Sequence, residues 1–320
     1  MRRTLLGAAA VVAVAAAGLP AIAHADSAGT ARVAWVGSCD DKDEISHACG
    51  AWRVRLRSGG QIKVADAAAT SVDAHGRKTE ETGKFAISAD GEWIVYERKS
   101  DHRLAVRRTS GGRVTLLPKS LTRLGTDIVR VWLSPSGDRV LLEYSETGEK
   151  EPGKIVTVAT GKIVKLPAGD DLEGFSGDGD EALALRYNTD NTTTLVALGA
   201  DGSTVAQVPP QVVINASTRA LAADGRTVAV FAGAQPKLRL YDLSTDRLAA
   251  AVDLRLKKGT VVYHAQWTGE DQLTVKVQSG GDGKPTVVRV LTVDTGTGAV
   301  KPVDTFTVIA RNYAWLTAGE

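Results

Sequence analysis

A pattern that returns every 42 to 46 residues constrains the fold of this chain more than any other feature. The pattern is an apolar run, a turn that usually reads Asp-Gly, and a second run rich in β-branched and aromatic residues. The equivalent turn positions are Gly91, Gly137, Gly179, Gly225 and Asp271. A unit of this length cannot bury its hydrophobic face alone, so the copies are expected to stack into one repeat architecture.

Two turns divide each copy into four short strands. The Asp-Gly turn joins the first two strands, because Gly supplies a positive φ and Asp tolerates it. A second turn signal follows about twenty residues later, at 109–112, 160–161, 201–202, 244–246 and 295–296. Four strands per unit at this period indicate an all-β chain, folded as a β-propeller of four-stranded antiparallel blades.

The two ends of the chain supply a further blade between them. Residues 313–320 have the pattern of an innermost strand and its turn, and residues 32–36 have the pattern of the next strand. Residues 52–64 supply the third strand, the turn and the fourth strand of the same blade. We therefore predict a six-bladed β-propeller that occupies 26–320 as a single domain and is closed by the C-terminal strand joining the N-terminal blade. Residues 65–84 read as a loop or a short helix.

The repeats resemble those of TolB-type six-bladed propellers, which are relatives of the WD-like repeat proteins. The resemblance rests on the order Ser-x-Asp-Gly, Ile-Val-Tyr and Thr-x-Gly, and it spans residues 31–320. It implies the propeller fold and a role in a bacterial cell-envelope complex. Ser136 stands where the repeat has Asp, and Asp271 stands where it has Gly. No additional N-terminal domain of the TolB kind is recognisable, so the resemblance implies the fold more strongly than the envelope role.

Residues 1–25 have the pattern of a signal peptide. Residues 1–3 are positively charged, 5–19 form an apolar run, and an Ala-His-Ala cleavage site ends at Ala25. We predict cleavage between Ala25 and Asp26 and secretion of the mature chain. A membrane anchor is the alternative, but the apolar run is short and rich in Ala. No second long apolar run follows, so no stable membrane span is expected in the mature chain.

Charge and cysteine content argue against several classes of function. The chain has 39 basic and 37 acidic residues, and the predicted signal contains two of the basic residues and no acid. The mature chain is therefore formally neutral, which argues against nucleic-acid binding. Two cysteines cannot build a Cys-based zinc module. We expect Cys39 and Cys49 to form a disulfide after export; a redox-active pair is the alternative, although C-x-x-C spacing is absent.

The side of the propeller opposite the Asp-Gly turns carries the longest polar connections. Loops on a rigid scaffold are where recognition usually resides, so we predict a binding surface on this side. The candidate residues are Asp40, Asp41, Asp43, Glu44 and His102. The four acidic residues could instead bind Ca²⁺, but they lack EF-hand spacing and Lys42 lies among them.

No catalytic or metal-binding motif is complete in the sequence. Residues 174–178 resemble the G-x-S-x-G esterase turn, but the fifth residue is Asp and Ser176 occupies the Ser position of the repeat. Gly283 and Lys284 lack the rest of a phosphate-binding loop. The histidines of the mature chain have no metal-binding spacing: His47, His75, His102 and His264. We predict no catalytic residue, no metal site and no cofactor.

These observations favour a non-enzymatic protein- or ligand-binding module that acts outside the cytoplasm as a monomer. Its expected partner is an envelope or extracellular protein or polymer. One alternative is a hydrolase or lyase with an axial site, but the innermost strands begin with mainly apolar residues such as Phe85 and Val131. Another is an envelope protein that binds cell-wall polymer. Arg53, Arg55 and Arg57 form one basic strand face, expected to meet solvent or an anionic polymer.

Overall fold

The computed structural model describes residues 29–40, 45–145, 151–233, 237–257, 259–281, 284–308 and 312–320. These residues form six four-stranded antiparallel sheets and one two-stranded hairpin. Successive sheets pack against each other in a ring, which confirms the predicted six-bladed propeller. The predicted signal and its cleavage site at Ala25 and Asp26 lie outside the described residues.

Each blade runs from an innermost strand near the axis to an outermost strand at the rim. Blade one contains β26 (Asn312–Thr317), β1 (Ala31–Asp40), β2 (Ser46–Leu56) and β3 (Gln61–Val64). After the hairpin of β4 (Thr70–Val72) and β5 (Lys78–Thr82), blade two contains β6 (Phe85–Ile87), β7 (Trp93–Glu97), β8 (Leu104–Arg108) and β9 (Thr115–Leu116). A 3₁₀ helix (Lys119–Thr122) leads to blade three, with β10 (Val129–Leu133), β11 (Arg139–Tyr144), β12 (Lys154–Thr157) and β13 (Ile163–Lys165).

The second half of the ring repeats this plan. Blade four contains β14 (Asp170–Phe175), β15 (Glu181–Tyr187), β16 (Thr193–Gly199) and β17 (Thr204–Gln207). A short helix, α1 (Gln211–Ile214), precedes blade five, with β18 (Thr218–Leu221), β19 (Thr227–Ala232), β20 (Lys237–Asp242) and β21 (Arg247–Leu248). Blade six contains β22 (Val261–Gly269), β23 (Gln272–Gly281), β24 (Lys284–Asp294) and β25 (Val300–Val308).

The last strand closes the ring as predicted. β26 pairs antiparallel with β1, so that Trp35 lies opposite Trp315 in the first blade. The turn after β26 then reaches blade two, because the Gly319 amide donates to the Ile87 carbonyl and the Ile87 amide donates to the Glu320 carbonyl, both at 2.9 Å. The inner edge of β1 is therefore paired from Val33 to Gly37.

Residues 65–84 differ from the expectation of a loop or short helix. They contain the β4–β5 hairpin, in which Thr70 pairs with Thr82 and Val72 with Lys78. Its turn is shaped by Asp73, whose Oδ1 accepts the backbone amides of His75 and Arg77. The polar sequence of β5 lacks the apolar alternation by which strands are recognised, so only tertiary contacts reveal this pairing.

Hydrophobic residues fill five of the spaces between neighbouring blades. One cluster joins each pair of blades from one–two through five–six. Between blades one and two, for example, the Trp52 and Phe85 rings stack with their centroids 4.6 Å apart. None of these five clusters spans blade six and blade one. The faces of the strands that carry apolar residues therefore decide how the blades pack.

The repeated turn glycines also fit against the preceding blade. A Cβ atom at Gly137 would overlap the Trp93 ring of blade two, and φ is +75° at this glycine. The corresponding atoms at Gly91, Gly179 and Gly225 would press on Ala31, Ser134 and Glu181, each one blade earlier, and at Gly319 on Gln266 of blade six. The glycine therefore serves the turn and the blade-to-blade contact together.

Candidate functional site

The propeller has two unlike faces. The turn face carries the turns between the first and second and between the third and fourth strands of each blade. The connection face carries the loops between second and third strands and the links between blades. The Cys39–Cys49 disulfide joins β1 and β2 near the connection-face end of blade one, which confirms the predicted pairing of these cysteines.

The predicted binding residues are only partly described by the structure. Asp40 ends β1, is exposed and accepts a 2.7 Å hydrogen bond from Ser46 Oγ. Asp41, Asp43 and Glu44 lie outside the described residues. His102 belongs to the loop of blade two, so it lies on the connection face but in a different blade from Asp40.

His102 contacts a buried carboxylate that the sequence reading did not single out. Glu97 is fully buried, and its Oε1 accepts Thr126 Oγ1 and lies 2.7 Å from His102 Nδ1. Its Oε2 accepts Ser71 Oγ at 3.1 Å and the Lys84 amide at 3.3 Å. Glu97 thus connects the β4–β5 hairpin, blade two and the link to blade three. The contact with Glu97 gives His102 a structural role, beside the binding role predicted from the sequence.

An axial cavity of about 140 Å³ lies among the innermost strands of blades three to six. Glu173 and Arg219 line this cavity and form an ion pair. Both occupy the repeat position six residues before the turn glycine, the same position as Phe85 and Val131. The expectation of mainly apolar strand starts was therefore wrong for blades four and five. Both residues are recognisable in the sequence when the position six residues before the turn glycine is compared among the repeats.

Burial governs the electrostatics of the Glu173–Arg219 pair. Burial raises the pKa of the Glu173 carboxyl above its usual value, while the Arg219 guanidinium opposes this change. Arg219 also donates to the backbone carbonyls of Val213 and Ile214 in α1. Glu173 Oε2 is buried and has no hydrogen-bond partner among the described residues. The pair therefore leaves one carboxylate oxygen available within the cavity.

His264 lies in the same cavity but is held in its neutral form. Burial, together with the nearby Lys276 ammonium, lowers the pKa of His264 to about 3. Its Nε2 atom is buried and has no hydrogen-bond partner in the part of the chain described. A neutral imidazole can donate one hydrogen bond and accept another, but it cannot serve as a fixed cation at neutral pH.

Lys276 links blade six to the closing turn. Its Nζ donates to the Ala318 carbonyl at 2.6 Å and lies 3.1 Å from Glu320 Oε1, which also accepts Thr317 Oγ1 at 2.7 Å. Although burial acts in the opposite direction, the Lys276 charge holds the pKa of Glu320 below its usual value. Lys276 and Glu320 therefore stabilise the contact between blade six and the closing turn.

The axis opens on the connection face into an aromatic recess of about 300 Å³. Trp52, Trp132 and Trp315 contribute to its lining, together with Arg130. The Arg130 guanidinium lies 5.0 Å from the centroid of the Trp132 ring. Large aromatic side chains with a polar neighbour are typical of recognition surfaces, because they bury much area and keep a polar group in contact with water.

The other candidate residues have structural surroundings. Ser176 is fully buried in its turn, where its Oγ donates to Asp178 Oδ1 and accepts the Glu181 amide. Ser176 is therefore not exposed to a substrate. The described residues contain no group of three or more side chains arranged to hold a metal ion. No helix in the described ranges has the length and apolar character needed to cross a membrane.

Neither a protein-family model nor a curated protein sequence matches the chain. Similar solved structures include TolB-type proteins from Agrobacterium tumefaciens and Acinetobacter baumannii. The first is 11% identical over 87% of this chain and 90% of that chain, with a TM-score of 0.48. The second is 13% identical over 87% of this chain and 65% of that chain, with a TM-score of 0.48.

An acylaminoacyl peptidase from Pyrococcus horikoshii is 11% identical over 85% of this chain and 44% of that chain, with a TM-score of 0.48. The chain thus spans less than half of the peptidase and just under two thirds of the Acinetobacter protein. Likeness at these identities concerns the fold alone. The class that the fold defines is the closed six-bladed β-propeller, and TolB-type propellers, which the repeats resemble, are among its structural neighbours.

Proposed function

We propose that this protein is an exported, non-enzymatic binding module that captures a protein partner on its connection face. The observation that supports this most directly is the position of its exposed large hydrophobic side chains. Six such residues are described, and four lie on the connection face: Ile45, Tyr187, Val208 and Val261. Large apolar side chains that are exposed on one face are available to a protein partner, because contact with that partner removes them from water.

The surroundings of these side chains support a docking surface. Tyr187 is 64% exposed at the end of β15, and Val261 is 50% exposed at the start of β22. The aromatic recess at the axis, with Trp132 and Trp315, lies on the same face. Such anchors on a rigid ring lose little conformational entropy when a partner binds.

Export is supported by the N-terminal pattern and by the disulfide. Residues 1–25 carry the charged, apolar and small-residue segments of a signal peptide. The Cys39–Cys49 bond suits an oxidising compartment, where structural disulfides persist. We therefore place the mature protein outside the cytoplasm, with cleavage after Ala25, a single propeller domain over 26–320, and an envelope or extracellular protein as its partner.

The axial cavity favours binding over catalysis. Its volume of about 140 Å³ is well below the roughly 300–1,000 Å³ of ordinary small-molecule sites. Its carboxylate is already paired with Arg219. A hydrolase or lyase with an axial site remains the alternative, and loss of activity in Glu173→Gln, with unchanged partner capture, would support that alternative.

Partner capture from an envelope extract tests the proposed face. The variant Tyr187→Ser/Val261→Ser removes two exposed apolar side chains, and we expect it to retain about a tenth of the captured partner. The matched control is Val114→Ser, which removes an exposed valine between β8 and β9 on the turn face. Charge reversal at Asp41 and Asp43 is also expected to weaken capture. Equal loss in the control, or no loss in the first variant, would contradict the proposal.

A further inference from the structure

The contact between blade six and blade one differs from the other five contacts around the ring. The other five contain hydrophobic clusters, whereas a cavity of about 410 Å³ opens between blade six and blade one. We call this cavity the seam cleft. It is lined mainly by hydroxyl, amide and charged side chains from both blades. It reaches the turn face near Asp90, so it is separate from the proposed docking surface.

The blade-six wall of the seam cleft presents neutral hydrogen-bonding groups. Side chains alternate along β23, so Leu273 and Val275 pack towards blade five while their neighbours turn into the cleft. The neutral polar residues on this wall are Gln266, Thr268, Gln272, Thr274 and Thr292. Thr268 Oγ1 is buried and has no hydrogen-bond partner among the described residues. The wall therefore offers donors and acceptors that blade packing does not use.

The blade-one wall is basic. Trp52 and Val54 of β2 are buried against blade two, so Arg53 and Arg55 project from the opposite face, towards blade six. Arg57 follows the strand and lines the cleft directly. Within the described residues, no carboxylate forms an ion pair with any of these three arginines, and all three are exposed. The basic strand face predicted from the sequence thus lies beside the cleft and contributes Arg57 to its lining.

Other charges at the cleft are already engaged. Arg32 bonds Asp304, with Nε to Oδ2 at 2.6 Å, and stacks over the Phe306 ring at 4.9 Å. Lys276 is committed to the closing turn. Asp90 Oδ1 accepts hydrogen bonds from Ser88 Oγ and the Glu92 amide in its own turn. Among the described residues, the positive charge at the cleft that is left without an ion pair is therefore that of Arg57, with Arg53 and Arg55 on the same strand face beside it.

We propose that the seam cleft binds an anionic polyol, meaning a sugar or polyol chain that carries carboxylate or phosphate groups. The threonine hydroxyls and glutamine amides of blade six suit the hydroxyl groups of such a chain. Arginine suits its anionic groups, because the planar guanidinium forms paired hydrogen bonds to carboxylate or phosphate oxygens. The cavity is also large enough for a short segment of a saccharide chain.

Calorimetry on the purified full-length product tests this proposal with defined probes. Oligogalacturonate supplies carboxylates on a sugar chain, and oligo(glycerol phosphate) supplies phosphates on a polyol chain. We expect at least one of them to bind, and to bind more weakly as NaCl is raised. Neutral maltohexaose, oligoglutamate and single-stranded DNA of similar length serve as comparison ligands. Binding of neither anionic polyol, or equally strong binding of oligoglutamate or DNA, would overturn the proposal.

Two variants separate the charged wall from the neutral wall. Arg55→Glu/Arg57→Glu is expected to weaken binding at least about tenfold, because repulsion replaces hydrogen bonds to a charged group. Thr274→Val/Thr292→Val is expected to weaken binding by a smaller factor without changing its salt dependence. The matched control is Arg113→Glu/Arg247→Glu, which changes two exposed arginines of other blades. Equal weakening in that control would show unspecific charge attraction and would overturn the proposal.

Discussion

At the scale of single residues, one ion pair shows how the repeat accommodates a departure from its own pattern. The strand-start position holds Phe85 and Val131 in two blades but Glu173 and Arg219 in blades four and five. The two charged residues are one repeat apart, so propeller geometry brings them into contact. A buried carboxylate is costly without a partner, and the paired substitution keeps the cavity polar without leaving an isolated charge.

We expect Arg219→Met to lower the free energy of unfolding by about 3 kcal/mol at neutral pH, because the buried Glu173 carboxylate loses its countercharge. Adding Glu173→Gln to that variant should restore part of the loss. Urea unfolding of the wild type, both single variants and the double variant checks both statements. No recovery in the double variant would mean that Arg219 stabilises only through the carbonyls near α1.

The same variants carry a pH signature. The pKa of Glu173 is raised above its usual 4.5, so the folded state holds this proton more tightly than the unfolded state. Its contribution to stability is therefore present below the usual pKa and is lost as pH rises through the raised value. Glu173→Gln should remove this pH-dependent loss of stability. As pH rises above about 4.5, the unfolding free energy of the wild type should therefore decrease relative to that of the variant.

At the scale of elements, the turns and hairpins make contacts that a strand pattern does not reveal. The sequence predicts the Asp-Gly turns from the backbone needs of a hairpin, and the structure adds that each turn glycine fits against the preceding blade. The β4–β5 hairpin escapes prediction because its strands are short and polar. It is stabilised from outside, through Ser71 and the buried Glu97 carboxylate.

We expect Gly137→Ala to destabilise the propeller by about 3 kcal/mol, because it adds a steric overlap with Trp93 to the cost of a positive φ. Gly202→Ala is the matched control, since Gly202 also has a positive φ of 93° but a Cβ there would have open space around it. That variant should lose only about 1 kcal/mol. Denaturant unfolding compares the two. Similar losses would show that the blade contact contributes nothing.

At the scale of the whole molecule, the ring is closed by a single strand, and none of the five hydrophobic clusters formed by the described residues spans the seam between blade six and blade one. β26 pairs with β1, and Lys276 joins blade six to the turn that follows β26. The seam between blade six and blade one also holds an edge-to-face contact between the Tyr263 and Trp315 rings, with centroids 6.1 Å apart, and a cavity of about 410 Å³ lined mainly by polar side chains. Closure therefore combines strand pairing, a few buried polar contacts and this aromatic pair.

Deletion of residues 312–320 should open the ring and expose the inner edge of β1. An unpaired strand edge promotes association with other chains, so we expect oligomers and a lower unfolding temperature. Size-exclusion chromatography and thermal unfolding measure both effects. Lys276→Met is a milder comparison that keeps β26 in place, and it should remain in the oligomeric state of the wild type. A deletion variant that behaves like the wild type would show that β26 is dispensable.

The sequence by itself determined the blade number, the strand order and the closing strand, because turns and apolar runs are local signals that recur in five copies and at the two chain ends. It also predicted the disulfide, because an exported chain with two cysteines is expected to pair them. Only the tertiary structure decided which faces meet across each seam, since side chains from distant repeats become neighbours when the ring closes. The sequence predicts that the strand face of Arg53, Arg55 and Arg57 meets solvent or an anionic polymer, and ring closure brings Arg57 into the lining of a cleft. The physical reason is that a strand pattern specifies two faces but not what each face packs against.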